Sequence, residues 1–406
     1  MESLKNFGSN KKMKESLFNY RFEYENQKYI FNTNNNGLIQ INNDIFTEEE
    51  REYLRVNRFW VDDNEDEIAL LEREINHNIQ KRQKELELTI ALTNYCNFSC
   101  VYCYQNKNEK LMTTEVANMI IEKIDRILND NIFEGINIHY FGGEPLLNIP
   151  VLVYLDENIK KITDKIGIVY KAFLTTNGSM LSKELLQKVK FSSIQLTFDG
   201  LEKTHDRLRV SDHFHFKEEI ELIENIMNFS QAKVLLRTNI CKENKDEIIA
   251  LHKYKFEKFG NERIEINPNR TIKYHQDDSF EMLSVQEYAE VAYQIKLLWS
   301  EQKGKFELPV PRSTPCKFPY GNAYAISPEG YCTFCSGSMD QEKKYFFDVD
   351  IENKKMFSVR KECKKCNILP LCLGGCIIQY NLRAGACTYE KYELKNILIS
   401  YIKHIS

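Results

Sequence analysis

From residue 87 the chain alternates short apolar runs with charged stretches. LELTIAL, GINIHYFGG, IVYKAFLTTNG, SSIQLTFDG, KVLLRTNI and RIEINPNR are separated by segments such as TTEVANMIIEKIDRIL, VLVYLDENIKKITDKI and FKEEIELIENIMNF. The apolar runs have the length of strands, and the charged stretches carry apolar residues at helical spacing. Strands separated by a whole helix run parallel, so about six βα units predict an α/β fold, a parallel sheet or partial (β/α)6 TIM-like barrel over residues 87–300. In such a sheet the functional groups belong at the C-terminal strand ends.

The flanks have a different texture. In residues 1–86, NYRFEYENQKYIF reads as a strand, NTNNNG as a turn and GLIQIN as a returning strand, a small hairpin. FTEEEREYLRVNRFW and DEIALLEREINHNIQKRQKELE then read as two helices, which makes a small α+β unit. It serves either to shield a sheet edge or as a peptide-docking module, since an exposed strand edge accepts an extended segment. After a helix over 285–300, Pro309, Pro311 and Pro315 break the pattern, and residues 301–406 are loop-rich with a C-terminal helix. This region has few long apolar runs, so metal is its expected staple.

Fifty-five Lys and Arg against 59 Asp and Glu leave a net charge of −4, which points to no nucleic acid and no anionic membrane. No run approaches a membrane span and the N-terminus lacks a secretory core, so a cytoplasmic protein is expected. In that reducing compartment, 12 cysteines read as metal ligands rather than disulfides. Cys96, Cys100 and Cys103 form one cluster, Cys241 stands alone as a small buried residue, and eight lie from Cys316 to Cys387.

Three thiolates in TNYCNFSCVYCYQ, at the end of the first βα strand, can hold three irons of a [4Fe–4S] cube and leave the fourth open. A closed zinc site wants four ligands, and no neighbour completes one. With three and then two residues between the cysteines and Tyr102 before the third, the segment resembles the signature of the radical S-adenosylmethionine (radical SAM) enzymes. The resemblance implies that S-adenosylmethionine chelates the open iron and is cleaved to a 5′-deoxyadenosyl radical, which takes hydrogen from the substrate. It extends to Gly142, Gly143 and Glu144, similar to a glycine-glycine-glutamate segment beside the methionine moiety. It extends also to Thr176, Asn177 and Thr197 as ribose or carboxylate contacts. Asp199, His205, Asp206 and Arg209 resemble a motif of the peptide-modifying branch. The resemblance thus implies Asp199 as a catalytic candidate, Arg209 as a cofactor contact, and Arg237 as the basic partner of the methionine carboxylate. Surface salt bridging or a buried structural arginine are the ordinary readings of these polar residues.

The later cysteines resemble the seven-cysteine SPASM extension. It implies one auxiliary [4Fe–4S] cluster on Cys363, Cys366, Cys372 and Cys387, and a second on Cys316, Cys335 and Cys376, with Cys332 a candidate fourth ligand. Zinc ribbons are the competing reading of the C-x-x-C pairs Cys332/Cys335 and Cys363/Cys366, but they leave Cys372, Cys376 and Cys387 unexplained. Taken together, the resemblance implies a maturase with three [4Fe–4S] clusters and S-adenosylmethionine. Its substrate is then a ribosomal precursor peptide, whose leader sits on a winged-helix-like N-terminal domain, and its electrons come from flavodoxin or ferredoxin. A thioether crosslink is the first expectation. A carbon–carbon or carbon–oxygen crosslink, or sulfatase-type formylglycine formation, are the alternatives.

Overall fold

The computed structural model describes residues 12–41, 46–105, 107–130, 133–260, 262–272, 280–338, 344–349, 356–376, 379 and 387–405. The chain divides into two compact units, one made of Met1–Asn78, Trp299–Pro315 and Met356–Ser406, the other of Ile79–Leu298 and Cys316–Lys355. The cysteine-rich C-terminal stretch is therefore shared between the units.

The first unit starts with β1 (Met13–Glu15), β2 (Asn19–Tyr24), β3 (Gln27–Asn32), β4 (Gly37–Ile41), α1 (Glu48–Val56), β5 (Trp60–Asp62) and α2 (Glu67–Arg82). The expected first strand is two strands. Glu25 and Asn26 both have positive φ (49° and 61°), the backbone that a two-residue hairpin turn requires, and they fold 19–32 back on itself. The result is an antiparallel meander in the order β2-β3-β4, with β4 at an edge. Thr47 and Glu50 close a reciprocal capping box at the start of α1.

Both faces of the meander are covered. Ile30 and Ile41 pack with Leu54 and Phe59, whereas Phe22 and Phe31 pack with Ile368, Leu371, Leu394, Leu398 and Ile402 from the C-terminal part of the chain.

The second unit contains β6 (Glu85–Ala91), α3 (Thr114–Asp130), β7 (Gly135–Phe141), α4 (Ile149–Ile166), β8 (Val169–Thr175), α5 (Lys183–Lys188) and β9 (Phe191–Thr197). It continues with α6 (Glu202–Leu208), α7 (Phe216–Phe229), β10 (Lys233–Ile240), α8 (Ile248–Phe259), β11 (Ile264–Arg270) and α9 (Val285–Lys303). β6 to β11 are parallel and each pairs with its sequence neighbour, the six expected βα strands in an α/β partial barrel. Along β7, Ile136, Ile138 and Tyr140 are fully buried while Asn137, His139 and Phe141 on the other face are only partly so. One face is packed and the other more open and polar.

Beyond the short α10 (Lys317–Tyr320), the region expected to be loop extends this sheet. β12 (Ala323–Ile326) runs parallel to β6, and β13 (Tyr331–Thr333) and β14 (Lys344–Tyr345) add on antiparallel. The first unit closes with α11 (Leu369–Cys372) and α12 (Glu390–Ile405), the expected C-terminal helix. Among the described residues no helix is long and apolar enough to cross a membrane.

Candidate metal and cofactor site

The cysteine loop leaves the C-terminal end of β6 and is laced to the end of β7. Gly143 N–H donates to Thr93 O (2.8 Å) and Glu144 N–H to Tyr95 O (2.9 Å). A Cβ on Gly143 would stand 2.1 Å from Tyr95 O, and one on Gly142, with φ of +139°, 2.3 Å from Thr93 O. The two glycines let these backbone segments touch.

Glu144 is tied into the same corner. It is fully buried and its carboxylate is engaged within the protein: Oε1 accepts from Leu146 N–H (2.9 Å) and the Thr176 hydroxyl (2.7 Å), Oε2 from Asn177 N–H (2.6 Å). Burial pushes its pKa up and these donors oppose the shift. Its carboxylate is thus a bracket between the ends of β7 and β8. From the same corner the Asn177 amide donates to Asn97 Oδ1 (2.8 Å) and approaches Cys96 Sγ (3.9 Å), tying the end of β8 to the cysteine loop.

Across the barrel end, the Tyr102 hydroxyl donates to Asp199 Oδ2, and Oδ1 accepts from Asn239 N–H (2.6 Å). Asp199 is fully buried, so both oxygens of this catalytic candidate are spoken for. Thr197, Arg237 and Asn267 share one register row on β9, β10 and β11, and Arg237 Nε donates to Asn239 Oδ1 (2.7 Å). His205 and Asp206 both have partners within the protein. His205 Nε2 meets Glu219 (3.1 Å) inside the protein, and Asp206 accepts from Phe216 N–H (2.9 Å) at the start of α7.

Two groups escaped the sequence reading. Lys255 is fully buried, donates to Phe198 O (3.1 Å) and Thr238 Oγ1 (2.5 Å), and is pulled down to about 7 by burial. His139 meets Thr175 Oγ1 (2.8 Å) and is drawn down to about 4, first by burial and then by Lys317, so it is neutral at neutral pH. No local pattern marks either: a lysine in a charged helix reads as a surface residue.

The donor set fits an iron–sulfur cube. Burial pushes the Cys100 thiol up to about 11 and raises that of Cys96, so these sulfurs are poor free thiolates and wait for a cation. Cys96 Sγ accepts from Phe98 N–H (3.4 Å). Among the described residues no three Cys, His, Asp or Glu side chains close around a single ion, and in a cube each thiolate meets a different iron. Arg209, 5% exposed, leaves Nε and Nη2 without hydrogen-bond partners close to this loop, as an anionic group there would require.

Cys363, Cys366, Cys372 and Cys387 all lie in the first unit. Burial raises the Cys366 thiol, and Cys363 and Cys387 add to that shift; burial raises Cys372 to about 11, with Cys366 adding. Gly374 N–H donates to Cys372 Sγ (3.4 Å), in a run where Leu373, Gly374 and Gly375 all have positive φ. Cys376 follows in the same unit. Cys316, Cys332 and Cys335 belong to the second: Cys316 precedes α10, Cys332 is buried on β13, and Cys335 Sγ accepts from Gly337 N–H (3.3 Å). Cys241 is buried, as expected.

Residues 90–254 match the family described as the radical SAM superfamily. The radical SAM cyclopropyl synthase TigE of Paramaledivibacter caminithermalis is 24% identical over 80% of this chain and 76% of its own length. The chain spans about half or less of the length of the other curated relatives that it matches. Among solved structures, anSMEcpe with bound AdoMet and Cp18Cys peptide superposes with a TM-score of 0.63 at 17% identity, over 79% of this chain and 99% of that one. Streptococcus suis SuiB bound to precursor peptide SuiA gives 0.54 at 16% identity, over 93% and 98%. The cysteine loop and the barrel strands around it, residues 90–254, thus match a radical SAM domain.

Proposed function

We propose that this protein is a radical SAM peptide maturase that takes hydrogen from a ribosomally made precursor peptide and installs an intrapeptide crosslink. The observation that carries the reading is the three-cysteine loop at the C-terminal mouth of a parallel barrel, in a chain that also gathers Cys363, Cys366, Cys372 and Cys387. Bound at the mouth, a [4Fe–4S] cluster and S-adenosylmethionine supply a 5′-deoxyadenosyl radical.

The chain's own residues do the rest. Cys96, Cys100 and Cys103 hold the cluster; Asn177 and the Glu144 bracket fix the loop; Thr197 and Arg237 face the methionine carboxylate. Tyr102 and Asp199 brace the loop's far end. Cys363, Cys366, Cys372 and Cys387 hold one auxiliary cluster, and Cys316, Cys335 and Cys376, with Cys332, a second; these accept the electron left after bond formation. β4 offers an edge strand for the leader to extend. Flavodoxin or ferredoxin supplies the electrons.

Resemblance to SuiB and anSMEcpe, both solved with peptides, supports a peptide substrate. A thioether is the bond expected first. A carbon–carbon bond is the second reading, favoured by similarity to a cyclopropyl synthase over most of the chain. The test is anaerobic incubation of the reconstituted protein with S-adenosylmethionine, dithionite and Cys-containing precursor peptides. Formation of 5′-deoxyadenosine with a peptide lighter by two hydrogens supports the reading, and a product thiol that still alkylates selects carbon–carbon over thioether. No 5′-deoxyadenosine from a fully loaded protein would refute it.

A further inference from the structure

The cysteine loop is gripped from behind by the turn that ends α6. Ser99 N–H donates to Val210 O (2.8 Å) and Val101 N–H to Leu208 O (3.0 Å), so the backbone flanks Cys100 on both sides with Arg209 between the two bonds. Arg209 is held in that turn by its own N–H, which donates to His205 O (2.9 Å). Its guanidinium lies 5.2 Å from the Phe98 ring, away from solvent, and interacts electrostatically with Cys100.

Behind it sits Glu219 on α7, 1% exposed, whose carboxylate meets His205 Nε2 at 3.1 Å and otherwise has no hydrogen-bond partner. A buried carboxylate with so few donors is costly unless positive charge faces it, and the Arg209 guanidinium supplies that charge, with the His205 ring in hydrogen-bond reach of the acid.

We infer that Arg209 tunes the reduction potential of the cluster on Cys96, Cys100 and Cys103, and that Glu219 is the positioning residue that keeps its guanidinium there through charge and through His205. Reduction adds one electron to a cluster whose sulfur ligands already carry negative charge. A fixed, dry cation beside Cys100 favours the reduced form, since charge and hydrogen bonding around the sulfurs set such potentials. Glu219 supplies a buried counter-charge whose only polar partner in reach is His205. The inference rests on the radical SAM reading of this loop.

The experiment is an EPR-monitored redox titration of the reconstituted full chain without S-adenosylmethionine. The relevant signal is identified by its change when S-adenosylmethionine is then added, which only an open-iron cluster shows. Arg209→Gln is expected to lower the reduced-to-oxidised ratio at fixed potential about tenfold, a downward shift of about 59 mV for a one-electron couple. Glu219→Gln shifts it the same way by less, because the guanidinium loses its anchor. Arg209→Lys keeps the charge and stays near wild type even where packing suffers, which separates tuning from a folding defect. An unchanged midpoint in Arg209→Gln overturns the proposal, including the case in which only S-adenosylmethionine affinity falls. An unchanged or raised midpoint in Glu219→Gln overturns the role of Glu219. A wild-type protein with no signal that responds to S-adenosylmethionine instead refutes the radical SAM reading, so the two failures are distinguishable.

Discussion

The hydroxyl of Tyr102, inside the cysteine loop, donates to the carboxylate of Asp199, which stands 97 residues later just past β9. The aromatic residue before the third cysteine is therefore a tether as well as a packing group, and the aspartate it meets is a brace. Tyr102→Phe leaves one buried carboxylate oxygen without its donor, at a cost of about 1–3 kcal/mol. The expected outcome is a lower thermal midpoint and faster iron loss on chelator challenge. A variant with unchanged iron retention would show that the loop does not need the tether.

Gly143 tests the close approach of the two loops. Gly143→Ala drives a Cβ into the backbone of Tyr95 and Asn94, where nothing can swing aside, so about 3 kcal/mol or more is expected with failure to retain a cluster at the first cysteines. Gly167→Ala is the control. Gly167 caps α4 with φ of +78° and a Cβ there meets nothing within 4 Å, so the cost is about 1 kcal/mol of backbone strain with iron content intact. Equal effects of the two would refute the packing argument.

Glu144→Gln keeps the shape and removes an acceptor. The amide nitrogen must face either the Asn177 N–H or the donors at Leu146 and Thr176. An expected loss of about 1–3 kcal/mol appears as a lower thermal midpoint and weaker S-adenosylmethionine binding by calorimetry. Normal affinity would show that the bracket does not shape the cofactor site.

Lys255 predicts a pH dependence. Its folded pKa of about 7 lies below the ordinary lysine value because burial disfavours the cation. Between about pH 7 and about pH 10 the unfolded chain binds the proton that the folded one has lost, so Lys255 makes stability rise with pH across that window and has no further effect below it. Lys255→Met lacks this term. From about pH 7 to about pH 9 the wild type is expected to gain about 2 kcal/mol relative to the variant. Melting curves of both proteins at the two pH values check it, and a constant difference between them would contradict a neutral buried amine.

The auxiliary cysteines predict iron counts. Cys363→Ser with Cys366→Ser is expected to remove about four irons per chain while sparing the signal that responds to S-adenosylmethionine. Stoichiometric zinc in place of those irons would return the C-x-x-C pairs to the ribbon reading.

Much of the fold was legible because a period-two strand and an amphipathic helix write themselves into residues a few positions apart. The six strands and the intervening helices of the barrel follow from that local pattern, as does the cysteine loop at a C-terminal strand end. The turn at Glu25–Asn26 was missed because glutamate carries no signal for a left-handed backbone. The strands β12 to β14 were missed because Cys, Gly and Pro dominate their surroundings and because β12, on which the other two build, pairs with β6 more than 200 residues away.

The chemistry divides in the same way. Residue types and spacing in the sequence marked Cys96, Cys100 and Cys103 as ligands and grouped the later cysteines, because ligand spacing is a local property. Only the tertiary structure decided that Glu144 is a bracket, that Asp199 braces Tyr102, and that Arg209, Glu219 and Lys255 are buried charges. Burial and partner choice belong to segments far apart in the chain, and a side chain's protonation and role depend on which of them the fold brings beside it.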